Sequence, residues 1–295
     1  MRREAKAQAD SGDPEAVFEE GLRLYHLGRH AEGVPLLRAA AASGYPKAQS
    51  SVGYSLIECG RPSEGEAMLR QAVDAGYPGA QYNLSWLYDR WGREEAVALL
   101  QQAVTGWQRL AQEGDPEALT ELALTLRAAR RAEEADEAVR EAVRRYEQSA
   151  ADGDVDAMCR LRECHDELGD RDQAEVWARR AARSGSAEGE FALAGLLLER
   201  GDEAGAVQWF KKAARHGHAG AMFNLSLLQR SPRQTKRWLR RAARAGERGA
   251  MNNLGVIMKQ EGRPSTARTW YLRAIELGDP DAERNLGLLQ NATGL

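Results

Sequence analysis

A glycine followed four residues later by a small residue recurs nine times along this chain. The pairs are Gly12-Ala16, Gly44-Ala48, Gly76-Ala80, Gly114-Ala118, Gly153-Ala157, Gly185-Gly189, Gly217-Ala221, Gly246-Ala250 and Gly278-Ala282, in steps of 32, 32, 38, 39, 32, 32, 29 and 32 residues. A period of this size marks a repeat architecture, in which each unit buries its apolar face only against its neighbours. A second series keeps the same phase. Ala40, Ala72, Ala103, Ala142, Ala181, Ala213, Ala242 and Ala274 close the second half of each unit. Seven residues before them stand Gly33, Gly65, Ala96, Ala135, Ala174, Ala206, Thr235 and Ala267. Small residues at that spacing share one helical stripe, where backbones can approach closely.

Each unit divides into two helices. Gly28, Gly60, Gly92, Gly169, Gly201 and Gly262 mark a mid-unit turn, and the boundary glycines mark the other. Pro14, Pro46, Pro78, Pro116 and Pro280 stand two residues after a boundary glycine, in the first helical turn where proline is tolerated. The segments between are rich in Ala, Leu, Arg and Glu, which favour helix, and no alternating strand pattern competes. Length alone would fit one to three domains, but the phasing makes 1–295 a single array. Repeats start near 12, 44, 76, 114, 153, 185, 217 and 246, with a lone N-terminal helix over 2–11 and a terminal helix over 278–291.

Two units are longer through a shared insertion: Val104-x-x-Trp107 follows Ala103, and Val143-x-x-Tyr146 follows Ala142. It adds about two helical turns to each second helix. This reads as a longer packed helix that alters the pitch, with a ridge separating two lobes as the alternative. In the 29-residue unit the mid-unit turn shrinks to Ser231-Pro232-Arg233-Gln234, where proline is expected to stop the helix.

The pattern small-x-x-x-Leu-Gly, then Gly-Arg/Asp-x-x-x-Ala, then an aromatic residue and a closing Ala, resembles the tetratricopeptide repeat. From about Gly153 the units are more similar to the SEL-one-like repeat, as in Ala221-Met222-Phe223-Asn224-Leu225, Trp209-Phe210-Lys211-Lys212-Ala213-Ala214 and Asn253-Leu254-Gly255. The units are shorter than either family usually shows. The resemblance implies an all-α, right-handed superhelical solenoid of about eight antiparallel helix pairs plus the two lone helices. It also implies that the first helices line a concave groove holding peptide segments.

Helical angles sort the side chains into faces. In the first helices Leu84, Leu122, Leu161, Leu193, Leu225, Leu254 and Leu286 recur as the inward residue. Opposite them lie Phe18/Leu22, Ser50/Tyr54, Tyr82/Trp86, Thr120/Leu124, Phe191/Gly195 and Phe223/Leu227, a largely apolar row. Phe18, Tyr54, Tyr82 and Trp86 either form an aromatic trough for a peptide or pack between adjacent units. Asn83, Asn224, Asn253 and Asn285 form a second series at the groove edge. Their amides either pair with a peptide backbone, as the resemblance implies, or serve the repeat structurally. The accompanying Lys/Arg pattern of a carboxylate clamp is not reproduced.

In the second helices Trp177, Trp209, Trp238 and Trp270 align on the inner side and read as core. The opposite face carries a basic ladder: Arg179, Arg180, Arg183, Lys211, Lys212, Arg215, Arg240, Arg241, Arg244 and Arg273. Overall the chain is nearly neutral at −3, yet eleven basic residues face one acid between Lys211 and Arg248, and 19 acids face nine arginines between Gln112 and Glu175. Such asymmetry suggests an anionic partner, nucleic acid included, or simply a solvated face. No aromatic residue interleaves with the ladder, as stacking on nucleic acid would want.

Enzyme signatures are missing: no Gly-x-Ser-x-Gly, His-Glu-x-x-His, Walker loop or dinucleotide glycine cluster. Cys159, Cys164 and His165 read as core residues, because thiols five apart point about 140° away from each other on a helix. His216-Gly217-His218 reads as an exposed turn. No cofactor or metal is expected. Three cysteines and a basic start with no apolar run behind it (Met1-Arg2-Arg3) give a reduced, cytoplasmic setting without membrane insertion. Six Lys against 35 Arg hint at a GC-rich bacterial genome. The sequence therefore predicts a non-enzymatic scaffold binding a protein or peptide segment in its groove. The alternative is a polyanion-associated regulator using the ladder, and self-association through a terminal repeat stands open.

Overall fold

The structure, a computed structural model, describes residues 12–293. The helix expected over 2–11 lies outside the described residues. The chain is all-α, with no strand among the described residues. In order the helices are α1 Pro14–His26, α2 His30–Ala42, α3 Pro46–Glu58, α4 Pro62–Asp74, α5 Pro78–Arg90 and α6 Glu95–Gln112. Then come α7 Pro116–Ala128, α8 Ala132–Ala151, α9 Val155–Glu167, α10 Arg171–Arg183, α11 Ala187–Glu199 and α12 Glu203–Arg215. The last are α13 Ala219–Leu227, α14 Pro232–Arg244, α15 Arg248–Gln260, α16 Pro264–Glu276 and α17 Pro280–Thr293. Odd-numbered helices are the first of each repeat and even-numbered ones the second. Pairs such as α3–α4, α5–α6, α7–α8, α9–α10 and α15–α16 pack together, as a helical solenoid requires.

Local chemistry sets these boundaries. Each expected turn glycine adopts a positive φ, a region glycine enters without steric cost. The fourth mid-unit turn has no glycine, and Arg130 takes the left-handed conformation instead, at φ 60°. Carboxylates cap several starts: Asp115 accepts from Glu117 N at 2.8 Å, and Asp202 from Gly205 N at 2.8 Å. All eight closing alanines are buried, so close helix approach rests on the stripe the sequence displays.

The insertions lengthen α6 to 18 residues and α8 to 20, against 13 in most others. Their added Trp107, Ala111, Tyr146 and Ala150 are buried in one core cluster, so these are packed helices. In the short unit Pro232 does not stop a helix. It occupies the first turn of α14, and the deletion falls on α13, which has nine residues.

The residues form two compact units, 40–189 and 12–39 with 190–293. Within the second, contacts are not confined to sequence neighbours. Ala219 N donates to Leu27 O at 2.6 Å, and Arg248 N donates to His30 Nδ1 at 3.3 Å. The mid-unit turn of the first repeat thus rests on the N-termini of α13 and α15. A Cβ on Gly28 would lie 2.5 Å from Glu247 Oε2 and 2.6 Å from Gly220 N. Only glycine fits there.

Candidate functional site

The paired apolar positions opposite the inward leucines behave differently from one another. Six residues after the boundary glycine the first two repeats turn the side chain into the core, with Phe18 1% exposed and Ser50 buried, whereas Thr120, Phe191 and Phe223 are half-buried. One turn later it stays open, with Tyr54 39% exposed and Leu124 46% exposed. Phe18 therefore leaves the set of groove candidates, because its ring is core. Tyr82, at the inner position, is half-buried. Trp86 is half-buried too, its ring 5.5 Å from that of Tyr54 between centroids at 55°. In residues 40–189 the open row is Tyr54, Trp86 and Leu124, on α3, α5 and α7.

The N-terminal ends of the same helices face a common space. Lys47 Nζ on α3 reaches Glu117 Oε2 on α7 at 2.9 Å, passing the intervening α5 where that position is Gly79. Arg160 on α9 approaches Glu117 at 3.8 Å and bonds Glu163 at 3.1 Å. Burial raises the Tyr54 hydroxyl above its usual range, helped by Glu58, and raises Tyr82 likewise, with Tyr54 and Glu121 adding to it. Glu121 is itself raised by burial and by Glu117, against Lys47 and Arg160. The sequence reading missed Glu121. The signal was present: it occupies, in the 114 unit, the place of the asparagine series, seven residues after the boundary glycine.

The asparagines split. Asn83 Nδ2 donates to Ser50 Oγ at 3.0 Å, and Asn285 Nδ2 to Asn252 Oδ1 at 3.0 Å. Both tie a first helix to the preceding one, which commits their amides to the repeat. Asn224 and Asn253 have phenylalanines, Phe191 and Phe223, at that place in the preceding unit, and no such bond forms.

The basic ladder also differs from expectation. Trp177 is buried, but Trp209, Trp238 and Trp270 are half-buried. Each carries a cation three residues on: Lys212 Nζ lies 3.5 Å from the Trp209 ring, Arg241 4.6 Å from Trp238 and Arg273 5.2 Å from Trp270. Arg180 lies 4.4 Å from Trp177 in the same way. Aromatic rings do interleave with the ladder, contrary to the sequence reading, because an i, i+3 pair brings the indole edge under the cation. Among the described residues Lys211, Arg215, Arg240 and Arg244 have no carboxylate partner, whereas Arg179 is held by Glu175.

The remaining polar residues are structural. His218 is 1% exposed rather than an exposed turn residue: its ring stacks on Phe191 at 4.2 Å and Nδ1 accepts from Ala221 N. Burial, then His26, lowers it to about 3. Burial pushes the Cys159 and Cys164 thiols up to about 12, which suits packed cysteines. His30 is lowered to about 4 by burial and Arg248, and Glu247, 3.5 Å away, is raised to about 7 by burial. No helix among the described residues is long and apolar enough to cross a membrane.

Comparison with known proteins agrees with this architecture. A tetratricopeptide repeat profile matches residues 82–117, and a Sel1 repeat profile matches 166–186, 187–218, 219–247 and 249–279. No curated protein matches the chain. Among solved structures it is similar to c5321, a protective antigen of uropathogenic Escherichia coli with an SLR fold, at 22% identity over 99% of this chain and 75% of that one, TM-score 0.46. A Sel1 repeat protein from Oxalobacter formigenes is 24% identical over 77% of this chain and 99% of that one, TM-score 0.35. Human IFIT1, solved as a dimer with PPP-AAAA, is 17% identical over 93% and 67%, TM-score 0.40.

Proposed function

Because the chain is a tetratricopeptide- and Sel1-like repeat protein, we propose that it is an interaction scaffold holding a protein or peptide segment along the first-helix face of residues 40–189. Repeats of these families generally act as protein–protein interaction scaffolds and are typically non-enzymatic. The observation that carries the reading is the open row of Tyr54, Trp86 and Leu124. Large apolar side chains left exposed or half-exposed at one repeat position on three successive first helices are what an apolar segment would cover. The face is also rigid, since each ring stands on a helix fixed by its neighbours.

A random peptide library panned against the protein tests the reading. Peptides recovered on the wild type should lose at least about tenfold in affinity on Trp86→Ala, a loss on the order of 1.4 kcal/mol. Equal binding to Trp86→Ala and to a Tyr54→Ala/Leu124→Ala variant would refute it.

A second reading has its own support. Three consecutive repeats carry an indole-backed cation, on α12, α14 and α16, and on the first two it stands beside cations with no carboxylate partner among the described residues. Cations held in fixed places without carboxylate partners suit a polyanion, and such binding would weaken steeply with salt. Titration of a nucleic-acid oligomer at two salt concentrations checks this: salt-independent or absent binding rejects it.

A further inference from the structure

Glu121 is an anomaly among the acids of its surroundings. Glu117 is bonded to Lys47, Glu163 to Arg160 and Arg162, and Glu167 to Arg127 at 2.9 Å. Among the described residues the Glu121 carboxyl has no hydrogen-bond partner, although burial already disfavours its charge. It is half-buried, and a carboxylate that no cation among the described residues holds is free to take one from a partner.

Its register places it well. Glu121 stands one helical turn after Glu117 and one before Leu124 on α7. Asn83 on α5 and Arg160 on α9 hold the corresponding positions of the adjacent repeats, and the Lys47–Glu117 bond shows that this side of α3, α5 and α7 shares one space. At this register Asn83 bonds Ser50 and Asn285 bonds Asn252, partners that each stand six residues after the preceding boundary glycine, and the same step sets Glu121 beside Tyr82, while the Tyr54 ring meets Trp86. A carboxylate beside Tyr82, on the face that carries the Tyr54–Trp86 pair, has a definite chemical complement. Ring faces attract ammonium and guanidinium groups, and the carboxylate supplies a charge-assisted hydrogen bond. Trp86 already draws one cation from its own helix, with Arg90 5.7 Å from its centroid.

We propose that the first-helix face of residues 40–189 selects segments bearing a lysine or arginine, whose head group bonds Glu121 between Tyr54, Tyr82 and Trp86 while a neighbouring apolar side chain covers Leu124. This rests on the groove reading above and names its partner chemistry. A metal ion is a poor occupant, because the other carboxylates at hand are already bound to cations and one ligand does not make a site. A purely apolar segment would leave Glu121 buried beneath it and unpaired.

The test uses the full chain and a phage-displayed random dodecapeptide library, followed by calorimetry on synthetic peptides from the enriched pool. Enriched peptides should share a Lys or Arg next to an apolar residue. Glu121→Gln should weaken them by about tenfold or more, and replacing the peptide's cation by norleucine should weaken wild-type binding similarly. That replacement should change Glu121→Gln binding by less than about twofold, since the two changes remove one interaction. Glu121→Gln is not expected to unfold the protein, because it removes a half-buried charge that no cation among the described residues holds, and a thermal melt checks this. Peptides lacking a cation, or tight binding to Glu121→Gln, overturn the cation site while loss on Trp86→Ala keeps the groove. Binding insensitive to Trp86→Ala removes the groove reading itself. No enrichment over the bare support overturns both.

Discussion

Residues 40–189 and the repeats between Glu203 and Glu276 are built to one plan, yet they treat their charges in opposite ways. In the first, arginines are tied to carboxylates a turn away: Arg61 to Glu64, Arg131 to Glu134, and Arg144 and Arg145 to Glu141. In the second, α14 carries Arg233, Lys236, Arg237, Arg240, Arg241 and Arg244, and among these, within the described residues, only Lys236 bonds an acid, Glu261. Dense charge therefore means different things in the two places. Where it is paired, it is largely internal to the helix surface and worth little to a partner. Where it is unpaired, it leaves a field that a partner can feel. A further difference is topological: the first repeat sits on the N-termini of α13 and α15, a contact joining parts of the chain far apart in sequence.

The sharpest way to separate the regions is to add one methyl group at equivalent turns. Gly28→Ala places a Cβ against Glu247 and the backbone of Gly220 at positive φ, so the first repeat must lift away, at a cost of about 3 kcal/mol or more. At Gly60 nothing lies within 4 Å of such a Cβ, and only the left-handed backbone is penalised, by roughly 1–2 kcal/mol. Urea unfolding of the two variants compares them. Equal losses would mean that the first repeat does not dock as described.

The docked turn also carries a pH signature. His30, lowered from 6.5 to about 4, contributes stability that is complete above pH 6.5 and lost as pH falls toward 4. Glu247, raised from 4.5 to about 7, contributes stability that is complete below pH 4.5 and lost as pH rises toward 7. Between those limits the slopes oppose, each about 1.4 kcal/mol per pH unit. Glu247→Gln removes one slope, so the variant should lose roughly 2–3 kcal/mol more than the wild type between pH 6.5 and 4.5. His30→Gln should tilt the other way. Denaturation at the two pH values decides; parallel behaviour of all three proteins would mean that Glu247 is charged in the fold.

Paired and unpaired charge should respond unequally to neutral replacement. Glu66 accepts from the Tyr88 hydroxyl at 2.8 Å, from Arg70 at 2.9 Å and from Arg93 at 3.2 Å. Glu66→Gln should cost about 1–2 kcal/mol by weakening all three bonds. The triple change Arg240→Gln/Arg241→Gln/Arg244→Gln should cost within about 1 kcal/mol, mostly from the Arg241–Trp238 contact. Thermal melts in low and high salt measure both. A triple variant as destabilised as Glu66→Gln would show that the ladder is structural.

The fold was legible because it is periodic. Turn glycines, first-turn prolines and close-packed alanines each solve a local steric problem, and a repeated local problem shows in one sequence. The site was legible only to within a face. Helical angles put Phe18 and Tyr54 on the same side, but they do not say that Phe18 is buried while Tyr54 stays open. That is decided by interhelical packing. The contact of Gly28 with Glu247 and Gly220 obeys no period at all, and neither His218 nor Glu247 could be read as buried from its own segment.

Arg130 is the one place in 40–189 where the periodic solution is missing, and it predicts the smallest effect. The other mid-unit turns in that region, at Gly60, Gly92 and Gly169, reach positive φ through glycine, whereas Arg130 holds φ 60° with a side chain. A non-glycine residue pays about 1–2 kcal/mol for that conformation, and glycine returns part of it as unfolded-state entropy. Arg130→Gly should therefore stabilise the protein by roughly 0.5–1 kcal/mol, a rise of about 1–2 °C in Tm for a chain of this size. The gain requires that Arg130 make no compensating contact, and among the described residues no hydrogen bond or ion pair of its side chain opposes it. A fall in Tm would mean that the guanidinium matters more than the backbone, and the turn would then belong with the paired charges that characterise this half of the molecule.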